Sequence, residues 1–142
     1  MSKANEVEYE PGSYRDRNGR VFYSSGAVYR GLSARASSEW ETLESKAFFR
    51  RTMAEGKLVR TERVNPEERA ELLPASDWAA VLKHERIPFV SYPYEWSFGM
   101  LQDAALLQLE LLGAALVEDM ILKDGSAFNV QWIGTKPVFI DI

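Results

Sequence analysis

The 142-residue sequence predicts an α+β fold, because strand-like and helical patterns alternate along a chain of ordinary domain length. Two β-rich runs at 20–23 and 27–30 flank a short turn that contains glycine, as in a hairpin. A long apolar segment with helical texture occupies 98–120, and a polar loop and a second hairpin pattern follow it. We therefore expect one compact unit or two small lobes.

The N-terminal half is predicted to contain a flexible lead-in and then short elements. Residues 1–19 are rich in Glu, Arg, Gly and Pro and lack periodicity, so a single folded region is predicted at 20–142. A helix is predicted to begin near Ser38, which has capping-box spacing to Glu41, and to end at Gly56. Short strands are predicted at 58–64, 78–82 and 87–92, with a turn or short helix at 65–69.

The apolar segment at 98–120 is predicted to form a core helix with Ser97 as its N-cap. It is apolar on most of its faces, which predicts burial between other elements. Polar side chains interrupt it, namely Gln102, Asp103, Gln108, Glu110, Glu118 and Asp119. Because the charged ones are unfavourable in hydrocarbon, we expect no membrane span and no membrane partner.

The loop and hairpin after this helix hold the candidate site. Asp124 precedes Asn129 by five residues, and Asp141 follows at the end of the hairpin. In protein kinases, an Asp and an Asn at this spacing supply the catalytic base and a magnesium ligand, and a later Asp holds the metal under ATP. Asp124 is thus the candidate base, and Asn129 and Asp141 are candidate metal ligands. The alternative is structural, with Asp124 capping a turn and Asn129 holding the loop.

The order of elements together with this motif predicts a kinase-like organisation, with a small β-rich lobe, a long buried helix and a hairpin of the catalytic-loop type. Arg30 is the candidate phosphate-binding residue, with Glu41 or Glu44 as its partner. Kinases use Lys there, and arginine is a poor substitute for that ammonium group. The first hairpin also lacks a glycine-rich loop, and Leu122 stands where kinases have His. These departures favour a degenerate, pseudokinase-like fold.

Composition excludes several classes of function. A net charge of −4 and a pI near 5.1 argue against nucleic-acid binding. With no cysteine, the chain can have neither disulfides nor thiolate chemistry, and its polar N-terminus lacks a signal peptide, so a cytoplasmic location is expected. The lone His84 lies among charged residues and is predicted to be a surface histidine.

Five stretches of sequence carry a resemblance to a known family, the aromatic string at 88–98 being the most specific. They are Gly26–Arg30, Pro88–Phe98, Asp103–Leu107, Leu122–Trp132 and Pro137–Asp141. Through them the whole chain resembles the N-terminal region of bacterial class I S-adenosylmethionine-dependent methyltransferases, including nodulation-type methyltransferases. The resemblance implies that the chain is truncated before a downstream methyltransferase domain, which would be its partner and would bind S-adenosylmethionine. The substrate would be a small molecule or a glycan.

Within these 142 residues no cofactor is expected, because the nine glycines never form the Gly-x-Gly that a dinucleotide-type site uses. The sequence therefore predicts a non-catalytic scaffold or substrate-positioning region of a methyltransferase-family protein. A first alternative is a kinase-like phosphotransferase that uses Mg-ATP. A second is a protein-docking module that uses the aromatic segment at 88–98, where Phe89, Tyr92, Tyr94, Trp96 and Phe98 alternate.

Overall fold

The computed structural model describes residues 7–74 and 76–142, and the predicted α+β class is confirmed. Within these residues the strands form two antiparallel sheets. The strands are β1 Glu8–Tyr9, β2 Gly19–Ser24, β3 Ala27–Leu32, β4 Thr61–Arg63, β5 Ala80–His84, β6 Val130–Ile133 and β7 Lys136–Phe139. The helices are α1 Ala34–Ser45, α2 Ala47–Ala54, α3 Pro66–Leu72 and α4 Phe98–Val117.

The described chain divides into two compact units, each built from two separate stretches of sequence. The first unit contains the described residues up to Leu43 together with Thr61–Arg86. The second contains Glu44–Arg60 together with Ile87–Ile142. The region 20–142, which the sequence analysis treats as one folded region, therefore contains parts of both units.

A five-stranded sheet forms the first unit, in the order β1-β2-β3-β5-β4. The predicted hairpin is present as β2 and β3, and its turn places Ser25 at φ 49° and Gly26 at φ 80°. Two successive left-handed residues match the right-handed twist of the flanking strands, which is why a glycine suits this turn. The buried side chains of the unit's core are Phe22, Tyr29, Val64, Leu72 and Val81.

Part of the predicted flexible segment at 1–19 has regular structure. Residues 1–6 lie outside the described part of the chain, but Glu8 and Tyr9 pair with Tyr23 and Phe22 of β2. A 3-10 turn follows at Pro11–Ser13. The prediction of a flexible lead-in is thus wrong for these residues, because a two-residue strand is too short to show periodicity and is held by its neighbour.

The helix predicted from Ser38 to Gly56 is two helices, α1 and α2, because Lys46 adopts an extended conformation (φ −75°, ψ 137°) between them. Glu118 causes α2 to start anew, since its carboxylate accepts hydrogen bonds from the backbone N–H groups of Ala47 (3.0 Å) and Phe48 (2.7 Å). These N–H groups have no partner inside the helix, and a carboxylate there also meets the positive end of the helix dipole.

A strand predicted at 87–92 does not form. Ser91 instead makes two hydrogen bonds with the side chain of Gln131: its N–H donates to Oε1 (3.0 Å) and its C=O accepts from Nε2 (2.9 Å). The side-chain amide of Gln131 thereby replaces a neighbouring strand. Pro88 and Pro93, which lack N–H groups, limit ladder formation in the flanking backbone.

The second unit contains α2, α4 and the β6-β7 hairpin. Residues 57–59 run beside the end of β7, with a bridge between Leu58 and Phe139 and bonds of 2.9 Å from Val59 N to Phe139 O and from Phe139 N to Lys57 O. The buried apolar side chains of this unit include Phe48, Phe49, Leu58, Leu107, Leu111, Val130, Val138 and Phe139.

Ser97 caps α4 as predicted, since its hydroxyl accepts the N–H of Met100 at 3.3 Å. Burial on most faces of this helix, however, was a wrong prediction. The buried residues of α4 form one stripe, Ala104, Leu107, Leu111 and Ala115, whereas Phe98 is 81% exposed and Leu109 is 65% exposed. By length and composition alone α4 is apolar enough to cross a membrane, a property that core helices share.

Candidate functional site

The loop between α4 and β6 is shaped by its own polar side chains. Oδ1 of Asp124 accepts the N–H of Ser126 (3.0 Å), and the Ser126 hydroxyl accepts the N–H of Phe128 (3.3 Å). Gln108 on α4 ties the loop to the helix, because its Nε2 donates to the carbonyl of Ser126 at 2.7 Å. The loop therefore has a defined conformation and holds Asp124 at the surface.

Asn129 joins the three predicted site residues. Its Nδ2 donates to the backbone carbonyl of Asp124 (3.2 Å) and lies 3.5 Å from Oδ2 of Asp141. The β6-β7 register pairs Val130 with Phe139, and Ile140 donates its N–H to the Asn129 carbonyl at 2.8 Å. The hairpin thus returns Asp141 to the end of the loop, where the Asn129 amide contacts the carboxylate of Asp141 and the backbone of Asp124.

This grouping fits one mode of magnesium binding. Mg²⁺ prefers oxygen ligands and is commonly held by one or two carboxylates together with the phosphates of a nucleotide. Asp141 and Asn129 offer such oxygens, and Asp124 and Asp141 are both exposed to solvent. In the part of the chain that the structure describes, no group of three or more His, Cys, Asp and Glu residues is arranged to hold a metal ion.

The same contacts also fit a purely structural role for Asp124 and Asn129. The amide of Asn129 holds the loop to the hairpin end, and the carboxylate of Asp124 caps the turn at Ser126. An asparagine can do both, since its NH₂ donates while its carbonyl oxygen stays able to bind a cation. Loop geometry is therefore compatible with either role.

Arg30, the predicted phosphate-binding residue, lies in the middle of β3 in the first unit, in register with Val21 and Leu82. Glu41, one of its two predicted partners, accepts a hydrogen bond from Arg63 at 2.9 Å. The other, Glu44, belongs to the second unit. Arg30 stays a candidate for phosphate binding.

His84 is half-buried, whereas the sequence predicts a surface residue. Its Nδ1 lies 2.9 Å from the Thr61 hydroxyl, and no described residue bonds its buried Nε2. Burial, assisted by the positive charge of Arg30, lowers the pKa of His84 to about 3. The neighbouring Lys83, Glu85 and Arg86 suggested an exposed position, but His84 ends a strand whose first three residues are buried. The imidazole is neutral near pH 7.

The aromatic segment at 88–98 divides into an anchor and an exposed set. Trp96 is 8% exposed, packs edge-on against Trp132 with ring centroids 5.7 Å apart, and donates its Nε1–H to the Ser91 hydroxyl at 2.8 Å. The other aromatic side chains are exposed: Phe89, Tyr92, Tyr94 and Phe98. Of the aromatic side chains in this segment, Trp96 alone is buried.

Three positioning residues were not predicted from the sequence: Gln108 positions the loop, Gln131 the 87–92 segment and Glu118 the start of α2. Gln131 is 4% exposed between apolar positions of β6, and a polar residue in such a place needs a partner. That pattern was the available signal. The partner itself lies forty residues away in the chain and has no local signature.

Comparison with known proteins gives one relationship. No protein-family model and no solved structure matches the chain. The chain is 36% identical over 130 residues to nodulation protein NoeA from Rhizobium meliloti (strain 1021). The match covers 92% of this chain but 26% of NoeA, so the chain spans about a quarter of that relative's length. The predicted likeness to a nodulation-type protein is confirmed, and the methyltransferase class stays a prediction.

Proposed function

We propose that this chain is a kinase-like, non-catalytic module that positions the substrate of a methyltransferase-family, NoeA-like protein. S-adenosylmethionine would be bound by another part of that protein, in the predicted downstream domain. The match to NoeA supports a modular role, because nearly the whole chain corresponds to about a quarter of NoeA. A glycan or small molecule is the proposed substrate, and a cytoplasmic location goes with the proposal.

The kinase-like part of the proposal rests on one observation: Asn129 contacts both Asp124 and Asp141 at the loop after α4. Protein kinases have the same order of a helix, a loop with Asp and Asn, and a hairpin that ends in Asp. In the first unit, a helix (α1) that follows β3 in a β1-β2-β3-β5-β4 sheet adds support.

The departures from a working kinase support the absence of turnover. Arg30 occupies the strand position where kinases place Lys, and Leu122 stands in place of the His before the catalytic loop. Asp124 also uses Oδ1 to cap the turn at Ser126. A polar surface loop with three fixed side chains suits hydrogen bonding to the hydroxyl groups of a substrate.

The positioning role can be tested in a chimera in which this chain replaces the matched region of NoeA. Methyl transfer from labelled S-adenosylmethionine to an oligosaccharide acceptor is measured. In the Asp141→Asn variant we expect the KM for the acceptor to rise about threefold or more while the KM for S-adenosylmethionine is unchanged. Asp119→Asn, an exposed acid in the same unit, is the matched control and should change neither constant. Equal acceptor KM values for Asp141→Asn and the parent would contradict the proposal.

A working phosphotransferase is the second candidate, favoured by the position of Asn129 and Asp141 at one end of the β6-β7 hairpin, after the loop that holds Asp124. Both residues would hold magnesium, which would neutralise charge on the ATP phosphates. Asp124 would accept the proton of a substrate hydroxyl while that oxygen bonds to the γ-phosphorus and the bond from phosphorus to ADP breaks.

Thermal unfolding with ATP and Mg²⁺ separates the two candidates. Ligand at about one hundred times its Kd stabilises a binding protein by about 2.7 kcal/mol. For the phosphotransferase we expect that stabilisation, its loss in Asp141→Asn but not in Asp119→Asn, and release of ADP when an acceptor is added. Stabilisation without ADP release would favour the non-catalytic module.

A further inference from the structure

We propose that the outward face of α4 is a docking surface for an apolar α-helix supplied by the part of a NoeA-like protein that lies outside the region matched by this chain. The outward face consists of Phe98, Gln102, Ala105, Leu109, Leu112 and Leu116. The inference rests on the proposed function, in which this chain is one module of a longer polypeptide.

The spacing of the outward face is that of a helix-packing seam. Its residues follow one another at intervals of four, three, four, three and four, which is the 3.5-residue repeat of helices that pack side by side. The buried stripe that contains Leu107 and Leu111 lies on the opposite side of the helix. With 20 residues, α4 offers a seam roughly 30 Å long.

Five of the six residues of this seam are exposed in the described chain, and Leu112 is half-buried. Phe98, Leu109 and Leu116 are each more than half exposed, and Leu106 and Val117 beside them are exposed as well. Gly113 lies next to the seam, and no atom beyond its own helix lies within 4 Å of where its Cβ would be. Contiguous apolar surface of this length is uncommon on monomeric proteins and marks an interaction site. A helix with two apolar faces packs on both sides.

The charges on α4 argue against an anionic membrane surface as the occupant. The helix carries Asp103 and Glu110, of which Glu110 pairs with Lys57, and it has no Lys or Arg of its own. An anionic membrane surface attracts basic helices, so an acidic helix is poorly suited to it.

The match to NoeA supplies the remaining argument. About three quarters of NoeA lies outside the matched region, which is ample polypeptide to provide a covering helix. The structure indicates its chemistry: an apolar stripe of about five turns that matches the length of the seam.

Cysteine labelling tests the proposal, because the 142 residues contain no cysteine of their own. Leu109→Cys places a thiol on the outward face, and Glu39→Cys places one on the exposed surface of α1 as a matched control. Each variant is prepared in the 142-residue chain and in the NoeA chimera whose native cysteines are replaced by serine. The rate of maleimide labelling is then measured, with circular dichroism to verify folding.

We expect Leu109→Cys to label at least tenfold more slowly in the chimera than in the isolated chain, and Glu39→Cys to label equally in both. Equal labelling of Leu109→Cys in both proteins would overturn the proposal. It is also overturned if the isolated chain dimerises in light scattering and is thereby protected, or if protection requires phosphatidylcholine or phosphatidylglycerol vesicles. The acceptor KM of Asp141→Asn is read separately in the same chimera, so failure of the docking surface and failure of the positioning role are distinguishable.

Discussion

Asn129 makes two contacts through one amide group, to the Asp124 carbonyl and to the Asp141 carboxylate. Removing that group in Asn129→Ala should release both the loop and the hairpin end. Partly exposed hydrogen bonds of this kind contribute about 0.5–1.5 kcal/mol each, so we expect the free energy of unfolding to fall by about 1 kcal/mol in urea titration. Asp124→Asn is the control, because it keeps the backbone acceptor, and its effect should be smaller. Equal losses in the two variants would show that the amide contacts are not the cause.

His84 makes the stability of the chain depend on pH. Its pKa is about 3 in the folded protein, chiefly through burial, and near 6.5 in an unfolded chain. A depressed folded pKa means that its contribution is complete above pH 6.5 and is lost as the pH falls from 6.5 towards 3. The slope is at most about 1.4 kcal/mol per pH unit.

Urea unfolding at pH 7, 6 and 5 measures this slope before most carboxylates titrate. We expect the free energy of unfolding to fall across this range in the parent chain. In His84→Gln, which keeps a polar side chain opposite Thr61 but has no titrating group, the fall should be much smaller. An unchanged slope in that variant would assign the pH dependence to other groups.

At the scale of single elements, two glycines have opposite environments. A Cβ at Gly31 of β3 would lie 2.6 Å from the Trp78 ring, whereas one at Gly113 of α4 would meet no atom beyond its own helix within 4 Å. We expect Gly31→Ala to lower the free energy of unfolding by about 1–3 kcal/mol through overpacking. Gly113→Ala should raise it by about 0.5–1 kcal/mol, because alanine favours a helix interior. Denaturant midpoints of the two variants measure both effects, and destabilisation by Gly113→Ala would contradict the open environment.

The elements that were predicted correctly from the sequence are those determined by residues close together in the chain. The β2-β3 hairpin follows from two β-rich runs around Gly26, and the start of α4 follows from Ser97. The break at Lys46 and the missing strand at 87–92 depend on Glu118 and Gln131, which are distant in sequence. No local pattern reports such contacts.

The candidate site shows the same limit. The spacing of Asp124, Asn129 and Asp141 predicted that they would gather, because a hairpin of that length returns the chain to its start. Partial burial of His84 and exposure of the outward face of α4 were missed. Both depend on which elements pack against each other. The composition of a segment does not show whether its apolar side is covered by a neighbouring element.

For the whole molecule, the interleaved units predict how fragments behave. A fragment of residues 1–86 keeps all five strands of the first sheet. It lacks α4, the β6-β7 hairpin and Glu118, whose carboxylate accepts hydrogen bonds from the start of α2. We expect it to retain β-type circular dichroism, to lose the α2 contribution, and to bind the dye ANS through Phe48 and Phe49. Replacing both phenylalanines by serine in the fragment should abolish most of that fluorescence. A fragment with full α2 helicity and no dye binding would show that this helix is autonomous.

The carboxylate that starts α2 also has a consequence for biosynthesis. Glu118 is translated 70 residues after Phe48, whose N–H it accepts. At 5–20 residues per second, the ribosome needs roughly 4–14 s to deliver it. During that interval the nascent polypeptide carries two unsheltered phenylalanines, so a chaperone that recognises short aromatic stretches has its best opportunity to bind before the C-terminal half emerges.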